Sequence, residues 1–150
     1  MIVPSFVAMK PSISLAAAGT LLLSLTAPAL AAPETAPHAA ACVAALKANE
    51  AGLAANLKAG AAVEPELFKV VRSGVAIIGT QYLAGLGKDE GKRLLEAAEK
   101  DFQALPRSAA AARQAQCLQE GQSIYQNATA IEKSLITSAA QRRVRKLTAA

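Results

Sequence analysis

The chain has 150 residues, a formal net charge of +5, one histidine, and 53% apolar but only 3% aromatic residues. The one imidazole, His38, falls in a segment where nothing is expected to hold it against a nucleophile, which argues against a histidine-dependent triad or dyad, and scarce aromatics with a modest positive charge argue against a nucleic-acid binder. An apolar content carried by alanine and leucine favours helices over strands, so the expected class is all-α.

The first 31 residues have the three parts of a cleavable export signal. Lys10 precedes the apolar run of residues 13–25, and small residues follow in Ala29-Leu30-Ala31. The run is shorter than the roughly 20 apolar residues that span a bilayer, so no transmembrane segment is expected in the mature chain. Residues 1–8 carry no positive charge, which makes Met9 the better initiator. Residues 32–38, with prolines 33 and 37, read as a disordered leader, and residues 39–150 as a single helical domain. The expected location is the bacterial periplasm or the medium.

Both cysteines, Cys42 and Cys117, lie in the mature part, and export brings them into an oxidising compartment where a pair normally bonds. The predicted Cys42–Cys117 disulfide is a structural staple worth roughly 4 kcal/mol on chain-entropy grounds.

Helix one is predicted over 39–58, with Cys42, Leu46, Asn49, Leu53 and Leu57 on its buried face and Gly60 ending it. Pro65 suits the first turn of helix two, whose expected seam is Leu67, Val71, Gly74/Val75, Ile78 and Tyr82. This helix is apolar over most of its circumference and should be the most buried; close approach of a neighbour explains Gly74 and Gly79. Helix three follows over 89–105, with Leu94, Leu95, Ala98, Phe102 and Leu105 inward and charged pairs outward.

After Pro106, residues Cys117, Gly121, Ile124, Ala128, Ile131, Leu135 and Ser138 recur at alternating steps of four and three. No proline interrupts them, so helix four is predicted to run for about 40 residues, or about 60 Å. The expected architecture is a four-helix up-down bundle with a long C-terminal helix and one interhelical disulfide. Pairing Cys42 with Cys117 would then leave Ile124, Ile131 and Leu135 overhanging helix one. A bend at Gly121, the leader, simple offset of the helices, a second copy or another protein could cover them.

Catalytic, metal and cofactor sites are all expected to be absent. His38 falls in the leader, the mature part lacks methionine and tryptophan, and no Glu-x-x-His spacing exists. Size and helix count resemble the periplasmic four-helix cytochromes, but Gln116-Cys-Leu-Gln-Glu-Gly121 offers neither a second cysteine nor a histidine for haem. Gly85 to Arg93 has the wrong spacing for a phosphate loop. The basic end, Arg142, Arg143, Arg145 and Lys146, complements the helix dipole and could meet an anionic envelope surface.

These features predict a non-enzymatic exported protein that binds another macromolecule, as an inhibitor, immunity or envelope-associated protein. A protein partner or second copy would bind through helix four at Ile124, Ile131, Leu135 and the four basic residues. The alternative is a carrier of a small apolar ligand, lodged between helices two and four where Gly74, Gly79 and Gly121 leave room.

Overall fold

A computed structural model describes residues 35–149; the expected signal at residues 1–31 and the start of the expected leader lie outside the described residues. The order is α1 (Ala36–Lys58), α2 (Glu64–Leu83), α3 (Lys88–Gln103), α4 (Arg107–Asn127) and α5 (Ala130–Ala149). The fold is an all-α bundle with one interhelical disulfide, Cys42–Cys117, between α1 and α4. No described helix is long and apolar enough to cross a membrane.

Local chemistry explains most boundaries. Gly60 and Gly85 adopt φ of +91° and +93°, the left-handed region open to glycine, just after α1 and α2. Each is followed by a Schellman closure: Ala61 N–H donates to the Asn56 carbonyl and Gly60 N–H to Leu57, while Leu86 donates to Gln81 and Gly85 to Tyr82. Pro65 occupies the first turn of α2, where a missing N–H costs nothing. Pro37 does the same for α1, which begins at Ala36 instead of the expected residue 39. The leader at 32–38 thus loses its last three residues to helix, and His38 is carried into α1.

The centre of the bundle is α2, which packs against α1, α4 and α5. One core cluster joins Cys42, Val43, Leu46, Val70, Ile77 and Cys117, with Leu95, Phe102 and Ile124 packed on it. A second joins Leu67 and Val71 of α2 to Ala140 and Val144 of α5, flanked by Leu53, Leu57 and Leu147. The helix α3 contributes no fully buried residue and leans on α1, to which Lys47 and Glu99 tie it by an ion pair.

The inward face of α2 differs from the expected seam in its second half. Ser73 and Ile77 are buried, whereas Ile78 and Tyr82 are 37% and 53% exposed. The cause is a close helix crossing. A Cβ added at Gly121 would lie 2.6 Å from both the Ser73 Cβ and its carbonyl oxygen, so α2 and α4 touch backbone to backbone there. Ser73 tolerates this burial because its hydroxyl donates to the Lys69 carbonyl at 3.0 Å. Gly74 and Gly79 make no such contact: an added Cβ at Gly74 would be 4.0 Å from Leu46, and at Gly79 would meet nothing within 4 Å.

The long helical stretch after Pro106 occurs as two helices of 21 and 20 residues, broken at Ala128, while α4 continues unbroken through Gly121. Thr129-Ala-Ile-Glu132 is a capping box. The Thr129 N–H and hydroxyl donate to Glu132 Oε2 at 2.7 and 2.8 Å, and the Glu132 N–H donates back to the Thr129 hydroxyl at 3.3 Å. The box starts a new helix in a new direction. Tyr125 and Thr137, 12 residues apart, share a hydroxyl–hydroxyl hydrogen bond of 3.1 Å, whereas a straight helix would separate them by about 18 Å along its axis. Ile124 accordingly packs on the first core cluster and does not overhang.

The Thr129 N–H and hydroxyl hold the Glu132 carboxyl below its ordinary pKa. A pKa lowered in the folded state means that the box contributes at neutral pH and is lost as pH falls through the lowered value. Amide protection at residues 130–133 is therefore expected to drop at acid pH. Glu132→Gln, which does not titrate, removes that dependence; an unchanged profile would show that the box does not hold the helix start.

Candidate functional site

Three features carry functional groups: the outward side of α5, the grooves beside α3, and the surroundings of the disulfide.

On α5, the second core cluster fixes which side faces in, since Ala140 and Val144 are buried. Ile131, Leu135, Ser138, Arg142 and Arg145 recur at steps of four, three, four and three on another face. Ile131 and Leu135 are 75% and 65% exposed, and Arg142, Arg145 and Lys146 are exposed as well. One outward stripe is therefore apolar over the first turns of the helix and cationic over the last.

The expected partner-binding set separates accordingly. Ile124 belongs to the core, and Arg143 belongs to the fold. Arg143 Nε donates to both Glu50 oxygens at 3.0 and 2.9 Å, and Nη2 lies 2.7 Å from Oε1. Glu50 is only 6% exposed, so this forked pair is what makes its carboxylate tolerable inside the bundle. Arg143→Ala is expected to cost about 2 kcal/mol in urea unfolding, because it strands a buried charge. Glu50→Ala should cost less, because the freed guanidinium already faces water; the reverse order would show that the pair is not what keeps Glu50 inside.

Beside α3, a cleft of about 310 Å³ lies between α1, α2 and α3, lined by Ala39, Val43, Ile78, Tyr82, Leu86 and Leu95 with Lys88, Asp89 and Lys92 also on its wall. A second groove of about 320 Å³ runs between Pro37 and Ala41 of α1 and Leu94, Ala98 and Phe102 of α3, near Arg113. Both exist because α3 rests on α1 and reaches the core only through partly buried side chains such as Leu95 and Phe102. At Gly121 the room expected between the second and fourth helices is taken up by Ser73.

Around the disulfide, α1 brings His38 and Cys42 to one side at an i, i+4 spacing, and α4 brings Cys117 and Glu120 at i, i+3. His38 Nε2 lies 3.1 Å from Glu120 Oε2, and each is 3.8 Å from Cys42 Sγ. Both sulfurs are fully buried, whereas the His38 side chain is 39% exposed. The second carboxylate oxygen, Glu120 Oε1, is buried without a hydrogen-bond partner. Sequence reasoning missed this cluster by assigning His38 to the leader; the H-x3-C and C-x2-E spacings were its visible sign.

The chain matches no known protein family, no characterised protein and no solved structure. The arrangement of its own residues is what bears on function. Arg72 is held over the Tyr125 ring at 4.2 Å from its centroid and near Phe68 at 5.6 Å, tying α2 to the end of α4 just before the turn into α5.

Proposed function

We propose that the protein is an exported, non-catalytic binding protein, periplasmic or secreted, that docks another macromolecule on the outward stripe of α5. The observation that carries this reading is the exposure of Ile131 and Leu135, 75% and 65%, on an ordered and capped helix whose same face ends in cations. Two large apolar side chains beside Arg142 and Arg145 suit a protein partner offering an apolar patch with an acidic border. The signal pattern of residues 1–31 and the disulfide support the exported location, and the disulfide, which keeps Cys42 from acting as a thiolate beside His38, supports a non-catalytic role.

Light scattering on the mature chain, alone and with periplasmic extract, tests the reading with Ile131→Ser/Leu135→Ser as the control. A discrete complex that the double variant loses is expected; a homodimer would make the partner a second copy. A strict monomer that forms no complex, with Ile131 protected as strongly as the core, contradicts it.

A second reading, a carrier of a small apolar ligand, is favoured by the cleft between α1, α2 and α3, whose wall is mainly apolar with Lys88 and Lys92 beside it. Native mass spectrometry of protein purified from its host tests it. A co-purifying amphiphile lost on Ala39→Trp supports the carrier; a bare chain counts against it.

A further inference from the structure

We propose that the reduced protein binds a zinc ion through Cys42, Cys117, His38 and Glu120, and that the disulfide is the switch that closes this site. Zinc takes thiolate sulfur at about 2.3 Å and imidazole nitrogen or carboxylate oxygen at about 2.0–2.2 Å in a tetrahedron. Neighbouring donors of such a site are about 3.3–3.8 Å apart, the edge of a tetrahedron with those bond lengths. Three of the four donors stand close to those spacings already: His38 Nε2 to Glu120 Oε2 is 3.1 Å, and Cys42 Sγ is 3.8 Å from each. The three donor atoms lie within 4.8 Å of one another.

The fourth donor, Cys117 Sγ, is bonded to Cys42 Sγ in the oxidised protein, and reduction frees it to turn towards the other three. The two helices do not depend on the bond alone for their place. Gly121 of α4 is seated against Ser73 of α2, and Val43, Leu46, Val70 and Ile77 fill the space between. The buried, unpartnered Glu120 Oε1 fits a carboxylate built for a stronger partner than a half-exposed imidazole. The exposed edge of His38 gives an ion a way in, and the full burial of both sulfurs would shield the thiolates once metallated.

The steps balance. A dithiol reductant transfers two electrons and two protons to the sulfur–sulfur bond, leaving two protein thiols and an oxidised, cyclic disulfide reductant. Zinc then displaces the two thiol protons into solvent and takes a neutral imidazole and the carboxylate as its remaining ligands. The site so formed ties α1 to α4 in place of the covalent bond. Its thiolates are held by the metal and are poor nucleophiles towards oxidants.

The test compares oxidised protein with protein reduced by a trialkylphosphine, which takes up oxygen from water as it opens the bond, after removal of chelators. Each is titrated with cobalt(II) as a spectroscopic stand-in and then with zinc. The reduced protein is expected to bind one cobalt with thiolate charge-transfer absorption in the near ultraviolet and tetrahedral d–d bands, displaced by zinc; the oxidised protein shows neither. His38→Ala and Glu120→Gln, compared only where the oxidised variant keeps the parent's circular dichroism, should each weaken metal binding to the reduced form on the order of 100-fold. If reduction unfolds the chain, zinc should restore its helical circular dichroism. Reduced protein that shows no thiolate–cobalt band and no refolding with zinc overturns the proposal, as do His38 and Glu120 variants that bind like the parent.

Discussion

Replacing Cys42 and Cys117 together by alanine is expected to lower stability by about 4 kcal/mol. The bond joins residues 75 apart in sequence, and the loop it closes in the unfolded chain accounts for about that much by the chain-entropy relation. A domain of this size has a total stability of roughly 5–15 kcal/mol, so the variant should sit near its unfolding midpoint in mild urea. Both sulfurs are fully buried among Val43, Leu46, Val70 and Ile77, and alanine leaves space there, which adds to the loss. Urea unfolding of the double variant checks this. A loss under about 1 kcal/mol would mean that the core alone holds α1 against α4 and that the bond is not a staple. Zinc should not rescue this variant, whereas it should rescue the reduced parent.

Gly121→Val is expected to cost about 3 kcal/mol, among the larger effects of any single substitution in this fold. The Cβ alone would meet backbone atoms of Ser73 at 2.6 and 2.8 Å, and backbone cannot rotate aside as a side chain can. The two helices would have to part, loosening the first core cluster along the whole α2–α4 contact. Gly121→Ala should show the same sign with a smaller size, because alanine's helix propensity, worth about 1 kcal/mol over glycine, offsets part of the clash. Gly79→Ala is the counterpart. Its added methyl meets nothing within 4 Å, so only the propensity gain of up to about 1 kcal/mol remains and the protein should become more stable. Thermal unfolding of the three variants ranks them, and equal effects at positions 79 and 121 would remove the close crossing from the account.

The sites legible in the sequence were those marked by local chemistry. Glycine and proline at 60, 65 and 85 fix backbone angles regardless of what packs around them, so the ends of α1 and α2 could be placed from those residues alone. The cysteine pair was legible because an export-signal pattern and an even count leave one pairing. The break at Ala128 was hidden by an unbroken heptad pattern. That pattern persists because Cys117, Gly121 and Ile124 face the core of one helix, while Ile131 and Leu135 face solvent on the next. The Thr-x-x-Glu signature at Thr129 was present but carries no glycine or proline, and periodicity outweighed it.

The inward face of α2 was ambiguous for a different reason. Leu67, Phe68, Val70, Val71, Val75, Ile77 and Ile78 surround most of the helix, so hydrophobic periodicity does not choose between Ile77 and Ile78. The contact of Ser73 with Gly121 makes the choice, and it is a tertiary fact with no local trace. His38 was misplaced because its neighbouring prolines read as leader, although Pro37 in the first turn starts a helix rather than preventing one. Among the residues expected at an interface, Arg143 was indistinguishable from Arg142 and Arg145 in sequence. Only the packing of α5 beside Glu50 separates it from them.

The central claim is that the outward stripe of α5 docks a macromolecule. Site-specific photo-crosslinking in the exporting host tests it most directly, with the photoreactive residue placed at 131 or 135 and, as a control, at exposed Lys100 on α3. The account predicts a discrete adduct from 131 and 135 that Lys100 does not give and that Arg142→Glu/Arg145→Glu reduces. No adduct at either α5 position, or the same adducts from Lys100, would contradict it.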